Sequence, residues 1–342
     1  MYMAQSGVSI GHVLDSEVSA PVLTACFQGN RIRVGIVSEG SVVLVGRDYP
    51  CDRTSPMLFV DSLCGAIQDF LGQLDGEVAF RTIGVSIGGW ADTEEGIWRY
   101  TRKIAGFREP IPLAALLYRR VGLRAYIDND LHLSTLAEMR CGVGRSFSNL
   151  LYYHLGSGIG VGVAVENQLL RGTANYSGEC GHGFYDVDSE GEYAMLEDFA
   201  SGRGMVDTAR ALLPKHPNSV LAELEKNGAL SFQAIFDGHR AGDELCEYIL
   251  QRALRGIGFS VVNLLSITNS EALVFGGGIL SDGYMLQWLI DFLNEYLSPP
   301  TRQTLSYVGT SRINAQDIAM IGASYMVREA EEKLKPAPSC SA

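Results

Sequence analysis

The sequence predicts an α/β protein built from two similar domains with a cleft between them. Three observations carry this. The chain has 342 residues, beyond the length at which one hydrophobic core stops growing. Two β-rich segments, near residues 22–47 and 149–166, are each followed by helical stretches, which suggests a repeated α/β unit. A glycine-rich run, Leu155–His182, starts inside the second and extends beyond it, reading LGSGIGVGVAVENQLLRGTANYSGECGH.

The elements follow in order. Apolar alternation predicts strands at Val22–Phe27, Arg31–Val37 and Ser41–Arg47, joined by turns at Gln28-Gly29-Asn30 and Ser38-Glu39-Gly40. Pro56–Gln73 has helical spacing of Leu58, Phe59, Leu63, Ile67 and Phe70–Leu71. Arg81–Ile87 reads as a strand stopped by Gly88-Gly89, Leu113–Val121 as helix, Arg124–Ile127 as strand and Leu131–Cys141 as helix. Asn149–His154 and Gly160–Glu166 form a hairpin across the glycine loop, and residues 186–192 a polar loop. Helices dominate from Leu196 to Leu265. Glu271–Phe275 is a buried type of strand ending in Gly276-Gly277-Gly278, and Ile318–Glu332 closes the chain as helix. Residues 1–21 read as a tail, and 334–342 as a disordered one.

Composition narrows the function. Apolar residues make up 46% and charged residues 19%, as in an ordinary soluble globule. The net charge of −12 leaves no basic footprint for a nucleic-acid backbone, though a small anion needs only a local site. The seven cysteines form no CxxC pair and read as reduced thiols of a cytoplasmic protein. The N-terminus lacks signal-peptide features, and no apolar run reaches membrane-spanning length.

Glycines at Gly156, Gly158, Gly160 and Gly162 exceed what one turn needs. Glycine takes positive φ and lets a ligand approach bare N–H groups, so this half of the run suits phosphate. Glu179 and His182, three apart, suit the hydroxyls of a sugar. One stretch thus suggests both substrates of a phosphoryl transfer.

Leu155–His182 resembles the signature of the ROK family (repressors, open reading frames and sugar kinases): an apolar start, GIGxG, a gap to Gly172, then GxxGH. Ile127–Glu138 resembles the family's END-type segment, Ala272–Leu280 its adenosine motif and Ile321-Gly322-Ala323 its closing segment. The resemblance covers about residues 22–332 and implies the actin-like ATPase fold: two RNase-H-like domains that close on a sugar and a nucleotide. It places the first domain at 22–130 plus 315–333 and the second at 131–314.

The resemblance also assigns roles. Asp130 would be the general base that takes a proton from the sugar hydroxyl, although an Asp at a helix start is equally read as an N-cap. Asn129, Glu179, His182, Glu197 and Gly89 would bind the sugar, charged groups making the stronger hydrogen bonds; Glu197 also fits a plain first-turn acid. Trp90 could stack on the sugar or pack in the core. Gly29, Gly156-Ser157-Gly158 and Gly276-Gly277-Gly278 would hold ATP. The family's zinc motif is missing, since HGFYDVDSEGEYAMLE follows Gly181 without its cysteines, so no zinc is expected. The family's first phosphate loop, DxGGT, is here Cys26-Phe27-Gln28-Gly29-Asn30. Its aspartate normally helps to hold Mg²⁺, which prefers oxygen ligands to a thiol. The resemblance therefore implies a sugar kinase using ATP and Mg²⁺, with a sugar-binding regulator or pseudokinase as the alternative. The residues before the first strand are too few for a helix-turn-helix domain, so no direct DNA binding is expected. A homodimer is the assembly usual in the family.

Overall fold

The computed structural model describes residues 21–74, 79–187, 193–280 and 283–334. The two expected tails lie almost wholly outside these, as do residues 188–192 of the expected polar loop.

The described chain runs β1 (Val22–Gln28), β2 (Arg31–Val37), β3 (Val43–Pro50), α1 (Pro56–Gly72), β4 (Thr82–Ile87), β5 (Trp90–Asp92), β6 (Ile97–Tyr100), α2 (Leu113–Val121), β7 (Arg124–Asn129) and α3 (Asp130–Cys141). It continues with β8 (Leu150–Leu155), β9 (Ile159–Val165), β10 (Gln168–Leu169), β11 (Phe184–Val187), β12 (Tyr193–Met195), α4 (Leu196–Ala200), α5 (Gly202–Leu212), α6 (Val220–Lys226), α7 (Phe232–Arg240) and α8 (Glu244–Thr268). Last come β13 (Ala272–Gly276), α9 (Tyr284–Tyr296), α10 (Pro299–Thr304), β14 (Tyr307–Thr310) and α11 (Ile318–Leu334).

Two compact units result. The first holds the described residues up to Cys141, the short segment Arg171–Tyr176 and the chain from Gln316 onward; the second holds the remainder. Each is built on a five-stranded sheet, ordered β3-β2-β1-β4-β7 in the first and β10-β9-β8-β13-β14 in the second. In both, three antiparallel strands are extended by two that run parallel to the hairpin's first strand.

Local chemistry explains the elements. The β1–β2 hairpin turns on Gly29, whose φ is +60°, a region that favours glycine. Ser55 caps α1 by accepting from Leu58 N at 3.3 Å, and Pro56 opens the helix where a missing N–H does no harm. One face of α1 then buries Phe59, Val60, Leu63, Ile67 and Phe70. Phe59 meets Phe27 at 4.7 Å and Trp98 at 5.2 Å between ring centres. In the second unit Asp243 caps α8 by accepting from Leu245 N and Cys246 N, each at 3.0 Å. Asn269, with φ +47°, ends it.

The sequence reading divided the domains at residue 130. The first unit instead keeps α3, because α3 packs along α11. Gly322 lies directly on the Leu133 backbone, where any Cβ would collide with the Leu133 carbonyl. Leu133, Leu136, Ala323 and Met326 close the seam. Several small elements had no sequence signal: β5, β6, β10, α10 and β14 are short. Residues 186–187, expected as loop, belong to β11, which pairs with β12.

Candidate functional site

In the first unit the parallel strands β1, β4 and β7 end side by side, with Cys26, Ser86 and Asp128 in register. Ligand sites in open α/β sheets lie beyond such carboxyl ends. Here stand Gln28-Gly29, Gly88-Gly89 and Asn129-Asp130.

Asn129 is the cap of α3. Its Oδ1 accepts from Leu131 N at 2.7 Å and from His132 N at 3.3 Å, while its Nδ2 donates to Gly89 O at 2.6 Å. Asn129 therefore takes the capping role weighed for Asp130, and both its polar ends face protein. Gly89 has φ +93°, and a Cβ there would meet the Tyr100 carbonyl, so only glycine fits. Asp130 opens the helix with its side chain about one-third exposed (35%). Its Oδ1 accepts from Leu131 N at 3.0 Å and its Oδ2 takes the Lys103 ammonium at 2.9 Å. A Cβ on Gly88 would stand only 2.5 Å from Lys103 Nζ, so the bare glycine makes room for this lysine. Sequence reasoning missed Lys103, which sits in an irregular stretch with no periodicity to mark it.

The first loop carries no carboxylate. Cys26 is fully buried, and burial pushes its thiol up to about 12. A neutral sulfur suits a hard divalent cation poorly, so the loop does not fit Mg²⁺. Gln28 Nε2 is held by Gln316 O at 2.7 Å, and Gly29 O by Arg53 Nη1 at 3.2 Å.

Behind this edge lies a polar cluster that sequence reading also missed. Asp128 is wholly buried. Its carboxylate accepts from Arg171, from His132 Nδ1 at 3.2 Å, from Asn175 Nδ2 at 3.3 Å and from Asn129 N at 2.8 Å. Burial works to raise its pKa. The His132 hydrogen bond and the Arg171 charge outweigh that, and the carboxyl stays below its ordinary value. The available signal was an acid inside a buried strand, which must find partners. Trp90 is only partly buried. Its Nε1 donates to Ala174 O at 2.6 Å and its ring lies 5.6 Å from that of Tyr176.

In the second unit β8 and β13 run parallel with His154 opposite Gly276, so the two glycine loops share one edge. Gly277 has φ +90° and lies on the Leu155 backbone, where a Cβ would collide. Gly278 faces open space, with nothing within 4 Å of a Cβ position, and this bare backbone has room for a ligand. Gly156 and Gly158 are not among the glycines with positive φ. Their reason is close packing. A Cβ on Gly156 would lie 2.7 Å from His154 Nε2, and one on Gly158 would lie 2.7 Å from Glu197 Oε2. Ser157, between them, is exposed. Gly160 and Gly162 belong to β9.

Glu197 buttresses this loop. Its Oε2 accepts from Ile159 N at 3.0 Å and its Oε1 from Arg203 Nη2 at 2.9 Å. Glu179 precedes and His182 ends a single 3₁₀ turn, Cys180–His182, with Oε2 and Nδ1 3.8 Å apart and each side chain about 30% exposed (30% and 31%). Cys180 between them points inward, and its thiol is pushed up to about 12 by burial. The sequence-predicted residues thus fall into two groups. Asn129, Asp130, Gly89 and Gly29 gather at the first sheet's edge. Gly156–Gly158, Gly276–Gly278, Glu179, His182 and Glu197 belong to the second unit. Among the described residues no three His, Cys, Asp or Glu side chains gather as a metal site, and no helix is long and apolar enough to cross a membrane.

Comparison with known proteins agrees with this layout. A glucokinase of Thermotoga maritima is 28% identical over 316 residues, covering 88% of this chain and 95% of its own. A ROK glucokinase from Streptomyces griseus, solved with glucose and AMPPNP, superposes with a TM-score of 0.74 at 22% identity, covering 91% of this chain and 100% of its own. A ROK transcriptional regulator superposes with a TM-score of 0.76 at 22% identity, covering 91% of this chain and 81% of its own. These neighbours share the actin-like ATPase fold. The ROK family model matches residues 28–330, and the chain belongs to the ROK family.

Proposed function

We propose that this protein is a sugar kinase that transfers the γ-phosphoryl group of ATP to a hydroxyl of a hexose or N-acetylhexosamine. The observation that carries the reading is Asp130, a partly exposed carboxylate at the carboxyl end of β7, braced by the Asn129 cap and by Lys103. The sugar oxygen bonds to the γ-phosphorus, the bond from that phosphorus to the bridging oxygen breaks, and the hydroxyl proton passes to Asp130. ADP leaves with the bridging oxygen. Positioning and electrostatics dominate such reactions. Glu179 and His182 would hold sugar hydroxyls. Gly156–Gly158 and Gly276–Gly278 would receive the nucleotide, with Glu197 keeping the first of these loops in shape. The similarity to glucokinases supports this assignment. No step is assigned to Mg²⁺, because the first loop does not fit it. The setting we infer is a cytoplasmic homodimer.

A second reading has a specific observation behind it. A buried thiol at the first loop and an ion pair on Asp130 suit a sugar-binding regulator that has lost turnover. The two separate in one experiment. The protein is incubated with ATP, Mg²⁺ and a panel of hexoses and N-acetylhexosamines, and ADP release and melting temperature are followed. Sugar-dependent ADP release supports the kinase; sugar-induced stabilisation without ADP favours the regulator.

A further inference from the structure

We infer that Asp128 is a positioning residue for sugar binding, acting through Arg171 and Asn175 on the turn that bears Glu179 and His182. The inference rests on the proposed reading of that turn as a sugar site.

The segment Arg171–Tyr176 packs with the first unit, although the chain on both sides of it belongs to the second. Its attachment is dense. Arg171 Nη1 meets Asp128 Oδ2. Asn175 Nδ2 reaches Ala91 O and Thr93 Oγ1, each at 2.7 Å, as well as Asp128 Oδ1 at 3.3 Å. Trp90 donates to Ala174 O and packs its ring on Tyr176. Gly172 at φ +71° and Asn175 at φ +55° shape the segment, and asparagine tolerates that left-handed region better than most residues. Arg171 also donates to Asn175 Oδ1 at 3.2 Å, so the two anchors are tied to each other.

Asp128 is the centre of this clasp. A wholly buried carboxylate persists only where charge and hydrogen bonds compensate it. Arg171, His132 and Asn175 supply them, so the segment and the strand hold each other. Asp128 also adjoins Asn129 and Asp130 in sequence, and its Oδ1 accepts from the Asn129 amide. On the other side, only Ser177 and Gly178 separate Tyr176 from Glu179. Three residues of chain span about 10 Å at most. By chain length alone, the clasp therefore limits how far Glu179 can lie from the anchored Tyr176. Neither Asp128 nor Arg171 need touch the sugar.

The test uses the full chain. Dissociation constants for D-glucose, D-mannose, N-acetyl-D-glucosamine and N-acetyl-D-mannosamine, and separately for ADP, are measured by calorimetry for the unmodified protein, Asp128→Asn, Arg171→Gln and Arg171→Lys. Melting temperature is recorded for each. Arg171→Gln is expected to weaken the bound sugar about ten- to a hundred-fold, as slight misplacement of binding groups does. ADP binding stays within about two-fold, and Arg171→Lys recovers part of the sugar affinity. A lowered melting temperature with unchanged sugar affinity in Arg171→Gln overturns the inference, since the cluster would then be only structural. If Asp128→Asn fails to fold, Arg171→Gln decides alone, its side chain being one-third exposed (33%). If the unmodified protein binds none of the four sugars, the functional reading fails first and the inference falls with it. If it binds one and the variants match it, only the inference falls.

Discussion

The two sheets follow one strand plan and differ at their carboxyl ends. In the second unit the loops after β8 and β13 present bare glycine backbone, with Gly278 facing open space. In the first unit the end of β1 holds a buried thiol at Cys26 and an amide at Gln28, which is already bonded to Gln316. The start of α3, directly after β7, presents an acid already paired with a lysine. A shared topology thus carries two kinds of edge: one lined with close-packed glycines and open at Gly278, the other filled with side chains that hold one another. Strand order sets where chemistry can occur, and loop residues decide which chemistry it is.

The comparison can be broken most sharply at Asp130. Asp130→Asn is expected to lower turnover by about 10²- to 10⁴-fold, as removal of a general base does, with sugar affinity retained. ADP release beside a sugar titration checks this, and full activity would remove Asp130 as the base. Next in size is the glycine contrast within the second edge. Gly277→Ala forces a side chain into positive φ and against Leu155, and should destabilise by about 1–3 kcal/mol or more, whereas Gly278→Ala meets no atom and should leave the melting temperature nearly unchanged. Equal melting temperatures for the two variants would show that the edge is not shaped as described.

Restoring the family loop sharpens the other side. Cys26→Asp with Gln28→Gly should tighten nucleotide binding in Mg²⁺ by about ten-fold, near 1.4 kcal/mol. An unchanged nucleotide Kd would mean that the first loop is not what sets affinity. The last test is alkaline. Cys26 in the first unit, and Cys180 and Cys246 in the second, are pushed from 9.0 up to about 12 by burial. Folded, they keep their protons where the unfolded chain gives them up. Their contribution is whole below pH 9.0 and is lost as pH rises toward about 12. Melting curves across that range read it, and stability that rises with pH there would contradict the burial.

Much of the frame was legible in the residues. β2 and α2 have the bounds that their apolar spacing predicted, and the glycine signature located the second edge. The functional grouping was legible only in part. Asp130 was found because a family pattern marks it, whereas Lys103 belongs to a stretch with neither helical nor strand period. The Asp128–Arg171 pair joins residues 43 positions apart, and nothing local announces a partner at that distance. Gly156 and Gly158 stand close to His154 and Glu197, a proximity that no local sequence pattern announces. β14 and β10 were missed because strands so short carry too few side chains for alternation to register.

The backbone contact between Gly322 and Leu133 has a consequence for biosynthesis. On the ribosome, the helix that starts at Asp130 emerges long before its packing partner, residues 318–334, has been translated. Chains grow at about 5–20 residues per second, so α3 must wait with its apolar side uncovered while the whole second unit appears and folds. The lobe made first is completed last, and a chain cut short ahead of α11 would lack the helix that covers α3.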